Sequence, residues 1–229
     1  LFKAAEKAGY LDRSKIRVDH VPFGVVLGPD GKKFKTRSGA TEKLIDLLLE
    51  AVSHAEKILK ERLPDFSEKE LHQMATILGV DAIKYADLSS HRIKDYNFSY
   101  DRMLRFEGNT AAFLLYAYVR MRSIQRKVGL SIEEVLKNHS ILLEHPTEID
   151  LALHLRQFGE ALDTVAEELA PNRLADYLYN LAEKFHAFFR DCRVEGSPQE
   201  NSRFLLCEVA ARILHQGLQI LGLKTLERM

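Results

Sequence analysis

Apolar positions recur at helical spacing over most of the chain. Leu44, Leu47, Leu48, Ala51, Val52, Ala55, Ile58 and Leu59 repeat with a 3.6-residue period, which predicts a long helix from Thr41, a plausible N-cap, to about Arg62. Pro64 ends it. Ser67 with Glu70 three residues on is a capping box and opens a second helix with Leu71, Met74, Ala75 and Leu78 inward. A break is expected at Gly79, then a third helix from Val80 to Leu88 with Ile83 and Leu88 inward. Ser131 and Glu134 start another helix that runs to about His139. Residues 147–170 read as one helix with Ile149, Leu153, Leu155, Phe158, Leu162 and Val165 inward, and Pro171 breaks the chain. Leu174, Leu178, Leu181, Phe185 and Phe188 mark a bundle helix over 173–190. Leu206, Val209, Ala210, Ile213, Gly217 and Leu221 mark a last one over 202–221, and glycine at 217 allows a close helix crossing.

The first 40 residues differ. Phe2, Ala5 and Ala8 suggest a short amphipathic helix that stops at Gly9, and a strand is expected from about Ile16 to His20. Val25, Val26 and Leu27 read as a strand. Asp30-Gly31 favours a tight reversal, because glycine tolerates positive φ. Lys32, Lys33, Lys35 and Arg37 follow, with Thr36 and Ser38 among them, and no acid occurs from Gly31 to Thr41. Cations with small hydroxyl residues suit a polyanion such as a triphosphate. A solvated hairpin whose lysines keep a sheet edge soluble is the other reading. A P-loop is excluded, because its spacing would need glycine where Val26 stands and Ser or Thr where Lys33 stands.

Composition narrows the classes. Lys plus Arg and Asp plus Glu number 33 each, so the formal net charge is zero. RNA binding would therefore need clustered cations. One such cluster exists: from Gly108 to Ile132 there is no acid, while Arg120, Arg122, Arg126 and Lys127 alternate with Phe113, Tyr116 and Tyr118. On a helix Phe113, Tyr116, Arg120, Ser123 and Lys127 share a stripe. Rings interleaved with cations are what unstacked bases and their phosphates need. A core helix with an ordinary basic face fits the same spacing. Cys192 and Cys207 lack metal-ligand spacing and read as reduced thiols, and the nine histidines are scattered, so no metal site is expected. No apolar run approaches the ~20 residues that span a bilayer. The chain starts at Leu1 in mid-pattern, which suggests part of something longer.

The run Gly28-Pro29-Asp30-Gly31-Lys32-Lys33-Phe34-Lys35-Thr36-Arg37-Ser38-Gly39 resembles the variant KMSKS signature loop of arginyl-tRNA synthetases, in which Thr-Arg replaces the usual second lysine. Three further blocks are similar to the same family, in the same order. Lys84 to Leu88, with Arg92, Asp95, Tyr96, Phe98 and Asp101, resembles the segment that passes the tRNA acceptor arm towards the active site. Gly108-Asn109-Thr110-Ala111 with Tyr116, Ala117 and Arg120 resembles the entry to the anticodon-binding domain, although Leu115 stands where many members have glutamine. Tyr177, Phe185, Phe188, Phe189, Cys192 and Arg193, and the ending Glu227-Arg228-Met229, resemble the closing segment. There an aromatic pair near Phe189 and Arg193 faces the anticodon loop, and Arg193 is a departure from that pair.

The resemblance implies a mainly α protein: a helical bundle anticodon-binding domain preceded by a small α/β remnant, the tail of a Rossmann-type catalytic domain. The expected divisions are 1–40 for the end of the catalytic domain, 41–107 for a helical connector and 108–229 for the anticodon-binding domain. Lys32, Lys33, Lys35, Thr36 and Arg37 are the candidates for ATP phosphates, and Tyr116, Arg120, Lys127, Phe189, Arg193 and Met229 for tRNA. The implied activity is ATP-dependent activation of arginine and its transfer to tRNA(Arg), with Mg2+ accompanying ATP, in a monomeric cytoplasmic enzyme without a membrane segment. The HIGH-type motif and the arginine pocket are absent, so these residues alone are expected to be inactive. A non-catalytic helical interaction or RNA-binding module, and a related class I enzyme such as the cysteinyl synthetase, are the alternatives.

Overall fold

A computed structural model describes residues 1–28, 31–32 and 43–229. Its elements run α1 (Phe2–Lys7), β1 (Val26–Leu27), α2 (Leu44–Arg62), α3 (Glu68–Ser89), β2 (Tyr96–Asn97), α4 (Tyr100–Met103), α5 (Ala111–Val128), α6 (Ile132–Asn138), α7 (Pro146–Arg156), α8 (Phe158–Glu168), α9 (Pro171–Asp191) and α10 (Glu200–Ile220). The protein is mainly helical, with one two-stranded sheet among the described residues.

The long helices form where their apolar faces are continuous. Ser67 caps α3 reciprocally: its hydroxyl accepts from the Glu70 amide, and the Glu70 carboxylate accepts from the Ser67 amide at 3.0 Å. A cap of this kind contributes ~1 kcal/mol. Every expected inward residue of α9, from Leu174 to Phe188, is fully buried. Helix α9 packs against α3, α5, α7, α8 and α10, and α5 against α10. Helices α2 and α3 form an antiparallel pair beside them.

Several expectations need correction. No strand forms over Ile16 to His20. β1 pairs in parallel with β2, in register Val26 to Tyr96 and Leu27 to Asn97, and the arm of the expected hairpin from Lys33 onward lies outside the described residues. The tight reversal itself is present in part, since the Gly28 amide donates to the Lys32 carbonyl at 2.8 Å and the Gly31 amide to the Gly28 carbonyl at 2.9 Å. Helix α2 has Lys43 at its N-cap position, and Thr41 lies outside the described residues. Leu44, placed inward, is exposed there. Ser131 precedes α6 without capping it; its hydroxyl donates to Glu133 instead. The helix expected over 147–170 is two helices that turn at Gln157, and Pro171 is the first residue of α9. That turn rotates Ile149 and Leu153 out to solvent and brings Leu151, His154 and Leu155 inward. Val209 is also exposed, although its neighbour Ala210 on α10 is buried.

Gly79 does not break the helix. A Cβ there would lie 2.7 Å from the Val52 nitrogen and 2.8 Å from the Ala51 carbonyl, so its missing side chain lets α3 touch the α2 backbone. Gly217 plays the expected part in α10, where a Cβ would lie 3.0 Å from Leu178 Cδ1. Overpacking a filled site costs ~1–3 kcal/mol. Gly217→Ala is expected to fall in that range by urea unfolding, and to cost less in a Leu178→Ala background. Gly79→Ala should cost more, because backbone cannot move aside as a leucine side chain can. An unchanged unfolding midpoint for Gly79→Ala would contradict the close approach.

Candidate functional site

Thr110 starts α5 by accepting from the Phe113 amide at 3.2 Å, and Gly129 ends it in the left-handed conformation. The helix between them is nearly all buried on one flank, so its polar residues leave in two opposite directions. Arg122 and Arg126 leave towards the chain end. Both guanidiniums meet the Glu227 carboxylate, at 3.2 and 3.6 Å, and Tyr118 reaches the same carboxylate at 3.4 Å. Arg122 also lies 4.0 Å from the buried Glu208. Two of the four cations of the acid-free window are thus paired with an acid of the chain's own tail.

Arg120 leaves on the other side and has no acidic partner among the described residues. Its guanidinium lies 4.9 Å from the Tyr116 ring centre and 4.7 Å from that of Phe189 on α9, and it donates to the Tyr116 hydroxyl at 2.7 Å. The group is thus held between two rings, one on its own helix and one on α9. A cavity of about 430 Å³ opens beside it, lined among others by Arg120, Lys127, Phe189, Arg190 and Arg193. Glu195 is the one acid of that lining, against four cations. Phe189 is 37% exposed, so its ring is available for stacking. Arg193 donates through Nε to the Glu195 carbonyl at 2.8 Å, which fixes the start of its side chain at the cavity wall.

The structure therefore gathers Tyr116, Arg120, Lys127, Phe189 and Arg193. Phe113, on the expected stripe, is buried behind them against Tyr179 and His186. Leu115 is fully buried, in keeping with an apolar residue where a glutamine would need a partner. Met229 is not brought to the cavity. Its tail is tied by Glu227 to the opposite side of α5, and Met229 packs against the hydrophobic core. Lys32 lies in the turn after β1. Lys33, Lys35, Thr36 and Arg37 lie outside the described residues. Among the described residues no group of three or more His, Cys, Asp or Glu side chains is placed to hold a metal ion, and no helix is long and apolar enough to cross a membrane.

His186 is the residue sequence reading missed. It sits on α9 one turn before Phe189, with its ring 4.9 Å from Phe113 and 6.3 Å from Tyr116. Its Nε2 is buried without a partner among the described residues. The only signal was its helical offset from Phe189, which any core histidine would share. Arg190 was likewise missed at the rim. Burial, and then the nearby Arg120 charge, lower the His186 pKa below its ordinary value. The His186 ring protons are expected to titrate below the ~6.5 of a free imidazole. Arg120→Ala should raise that midpoint, leaving it still depressed by burial. A midpoint that Arg120→Ala does not move, measured by NMR, would place Arg120 elsewhere.

The comparisons with known proteins divide along the same architecture. Residues 1–100 match the catalytic domain of class I (R) tRNA synthetases, and residues 114–229 match the DALR anticodon binding domain. The chain is 64% identical over 229 residues to the arginine–tRNA ligase of Protochlamydia amoebophila (strain UWE25), covering all of this chain and 39% of that protein. It is 54% identical over 222 residues to that of Chlamydia felis (strain Fe/C-56), covering 97% of this chain and again 39% of the relative. The crystal structure of arginyl-tRNA synthetase from Plasmodium falciparum superposes with a TM-score of 0.85 at 33% identity, over all of this chain and 38% of that one. The Thermus thermophilus arginyl-tRNA synthetase gives 0.80 at 30% identity, over 90% and 35%. The chain spans 39% of the length of the relatives it matches in sequence. Since one family accounts for both halves in chain order and for the fold that joins them, the chain belongs to the arginyl-tRNA synthetases, with a DALR anticodon binding domain as its second half.

Proposed function

We propose that these residues serve an arginine–tRNA ligase, supplying the signature loop to the active site and the pocket that holds the anticodon loop of tRNA(Arg). The observation that carries the proposal is the Arg120 guanidinium held between Tyr116 and Phe189 beside a cavity lined by four cations and one acid. An unstacked base finds a π-face on Phe189, and Lys127 and Arg193 lie within the same wall for its phosphates, while Arg190 is paired with Asp191. Stacking of this kind contributes ~1–3 kcal/mol per base. Arg193 takes the place of a second aromatic through its guanidinium plane. The reading is confined to Tyr116, Arg120, Lys127, Phe189 and Arg193, since Met229 lies away from this pocket.

The reaction joins two steps. The arginine carboxylate attacks the α-phosphorus of ATP, and pyrophosphate leaves; then a hydroxyl of the terminal tRNA ribose attacks the activated carbonyl, and AMP leaves. The first step builds negative charge on the departing pyrophosphate, where positive groups and hydroxyls lower the barrier. Lys32, Lys33, Lys35, Thr36 and Arg37 are assigned to that charge. With no acid from Gly31 to Thr41, the loop offers phosphate contacts rather than metal ligands, and Mg2+ enters with the nucleotide. The divisions assigned are 1–40, 41–107 and 108–229, for loop, connector and anticodon domain. The two buried free cysteines fit a reducing cytoplasm, and the protein is assigned as a monomer.

In the full-length enzyme, Arg120→Ala is expected to raise KM for tRNA(Arg) about tenfold, the lower part of the stacking range, and to leave ATP–pyrophosphate exchange at saturating tRNA nearly intact. Arg37→Ala should do the reverse. Unaltered tRNA kinetics in Arg120→Ala would remove the pocket from the interface. RNA affinity of the wild type should also fall steeply with salt; a flat dependence would favour a protein-binding bundle instead.

A further inference from the structure

We propose that Arg92 is a positioning residue that carries the placement of α8, in the anticodon-binding half, to the strand from which the signature loop departs. The inference rests on the reading of that loop as the nucleotide-binding element.

The main chain of Arg92 holds the base of the loop. Its carbonyl accepts the Gly24 amide at 2.6 Å. A Cβ on Gly24 would lie 2.5 Å from the Lys94 oxygen and 2.9 Å from the Asp95 nitrogen, so the strand approaches this segment as closely as only glycine permits. The Asp95 carboxylate then accepts the Val25 amide at 2.7 Å, and the β1–β2 ladder follows, with Phe98 donating to the Leu27 carbonyl at 2.8 Å. Gly28 opens the turn directly after it.

The side chain of the same residue points the other way, into the end of α8. Its Nη1 donates to the Leu169 carbonyl at 2.5 Å and to the Glu168 carbonyl at 3.3 Å. Arg17 adds a third contact, from its Nη2 to the Glu167 carbonyl at 3.1 Å. Three successive carbonyls at the helix terminus, which the helix itself leaves without donors, thus accept from two guanidiniums of the first hundred residues. Cations are favoured there by the helix dipole as well.

Leu169 holds the accepting carbonyl in a disfavoured backbone conformation. It ends α8 at φ 52°, ψ 41°, and is the one non-glycine residue with positive φ among the described residues. Leucine resists that conformation, and the Arg92 bond is made to its carbonyl. The Arg92 Nε is buried without a partner among the described residues, so Nη1 makes the side chain's contacts with α8. A movement of α8 therefore pulls on Arg92, and through its carbonyl on Gly24 and β1. Surface packing alone would give no single residue bonded to both.

The test uses the full-length enzyme, with cognate tRNA(Arg) and a tRNA(Arg) of altered anticodon, each at saturation. The wild type is expected to charge the cognate tRNA with the higher kcat. In Arg92→Ala that advantage should shrink about tenfold, within the usual range of coupling between distant sites, while KM for tRNA changes less than about threefold. Arg92→Lys, which keeps the charge and one donor group, should recover part of it. An advantage undiminished in Arg92→Ala, or none in the wild type, overturns the relay. Failure of the wild type to charge any tRNA would instead count against the functional reading. The relay is then judged by hydrogen exchange: Arg92→Ala should speed exchange at Gly24 and Val25 together with Leu169 and Ala170. Unchanged rates at Gly24 and Val25 would overturn it on their own.

Discussion

An ion pair between the buried Glu148 and Arg203 fixes the wall of the cavity beside Arg120. Glu148 is 1% exposed, and its carboxylate accepts from the amides of Glu144 and His145 and from Arg203 Nε at 2.6 Å. Burial pushes its pKa up, but the two amides and the guanidinium outweigh burial and hold it below the ordinary carboxylate range. Arg203 then donates through Nη1 to the carbonyl of Arg193, at 2.7 Å. One charge pair thus joins the start of α7, the middle of α10's first turns and the residue that lines the cavity after α9. Removing one partner of such a pair leaves the other uncompensated, at ~3–5 kcal/mol, whereas the pair itself adds little net stability. Its value lies in fixing three elements at one point, so that Arg193 and Phe189 keep their spacing to Arg120.

The same economy of charge explains how a chain of zero net charge presents a positive pocket. Helix α5 carries its cations on opposite faces. On one face Glu227 and Glu208 take up Arg122, Arg126 and, from α10, Arg212 at 2.5 Å. The tail therefore works as an internal counterion. On the other face Arg120 meets the Tyr116 and Phe189 rings, and Lys127 and Arg193 share its cavity with the single acid Glu195. A uniform basic surface would bind any polyanion, while this arrangement concentrates the field at one cavity.

Much of the fold was legible because its determinants are local. The Ser67–Glu70 box, the Pro64 stop and the apolar series of α9 each act within a few residues. What was missed depends on partners distant in sequence. Gly79 reads as a breaker until α2 is seen against it. Ile149, Leu153 and Val209 follow a helical period, yet the turn at Gln157 and the packing of α10 set which flank is buried. β2 has no strand signature in Tyr96-Asn97 and exists because β1 lies beside it. The site was legible in part: Tyr116, Arg120 and Lys127 share a helix stripe, but that Arg122 and Arg126 would be neutralised required knowing where Glu227 docks. His186 offered no signal beyond its spacing. For the signature loop, Lys33 to Arg37, the sequence remains the whole account.

The docking of the tail shows position taking precedence over stability. Asp81 on α3 is almost fully buried and accepts the Lys224 amide at 2.8 Å, while Lys84 donates to the Gly222 carbonyl at 2.9 Å. Burial raises the Asp81 pKa to about 6, more than the Lys224 amide and the charges of Lys84 and Lys224 lower it. A carboxyl whose folded pKa exceeds its unfolded value, ~3.9, binds its proton more tightly in the native state. Its contribution to stability is complete below that lower value and is lost as pH rises through about 6. At neutral pH the buried carboxylate thus opposes folding on its own account. What it secures is the path of residues 222–229 past α3, which delivers Glu227 to Arg122 and Arg126. Without that delivery Arg126 would lose its acidic partner and Arg122 would keep only the more distant Glu208, leaving more unpaired positive charge on the face of α5 opposite Arg120.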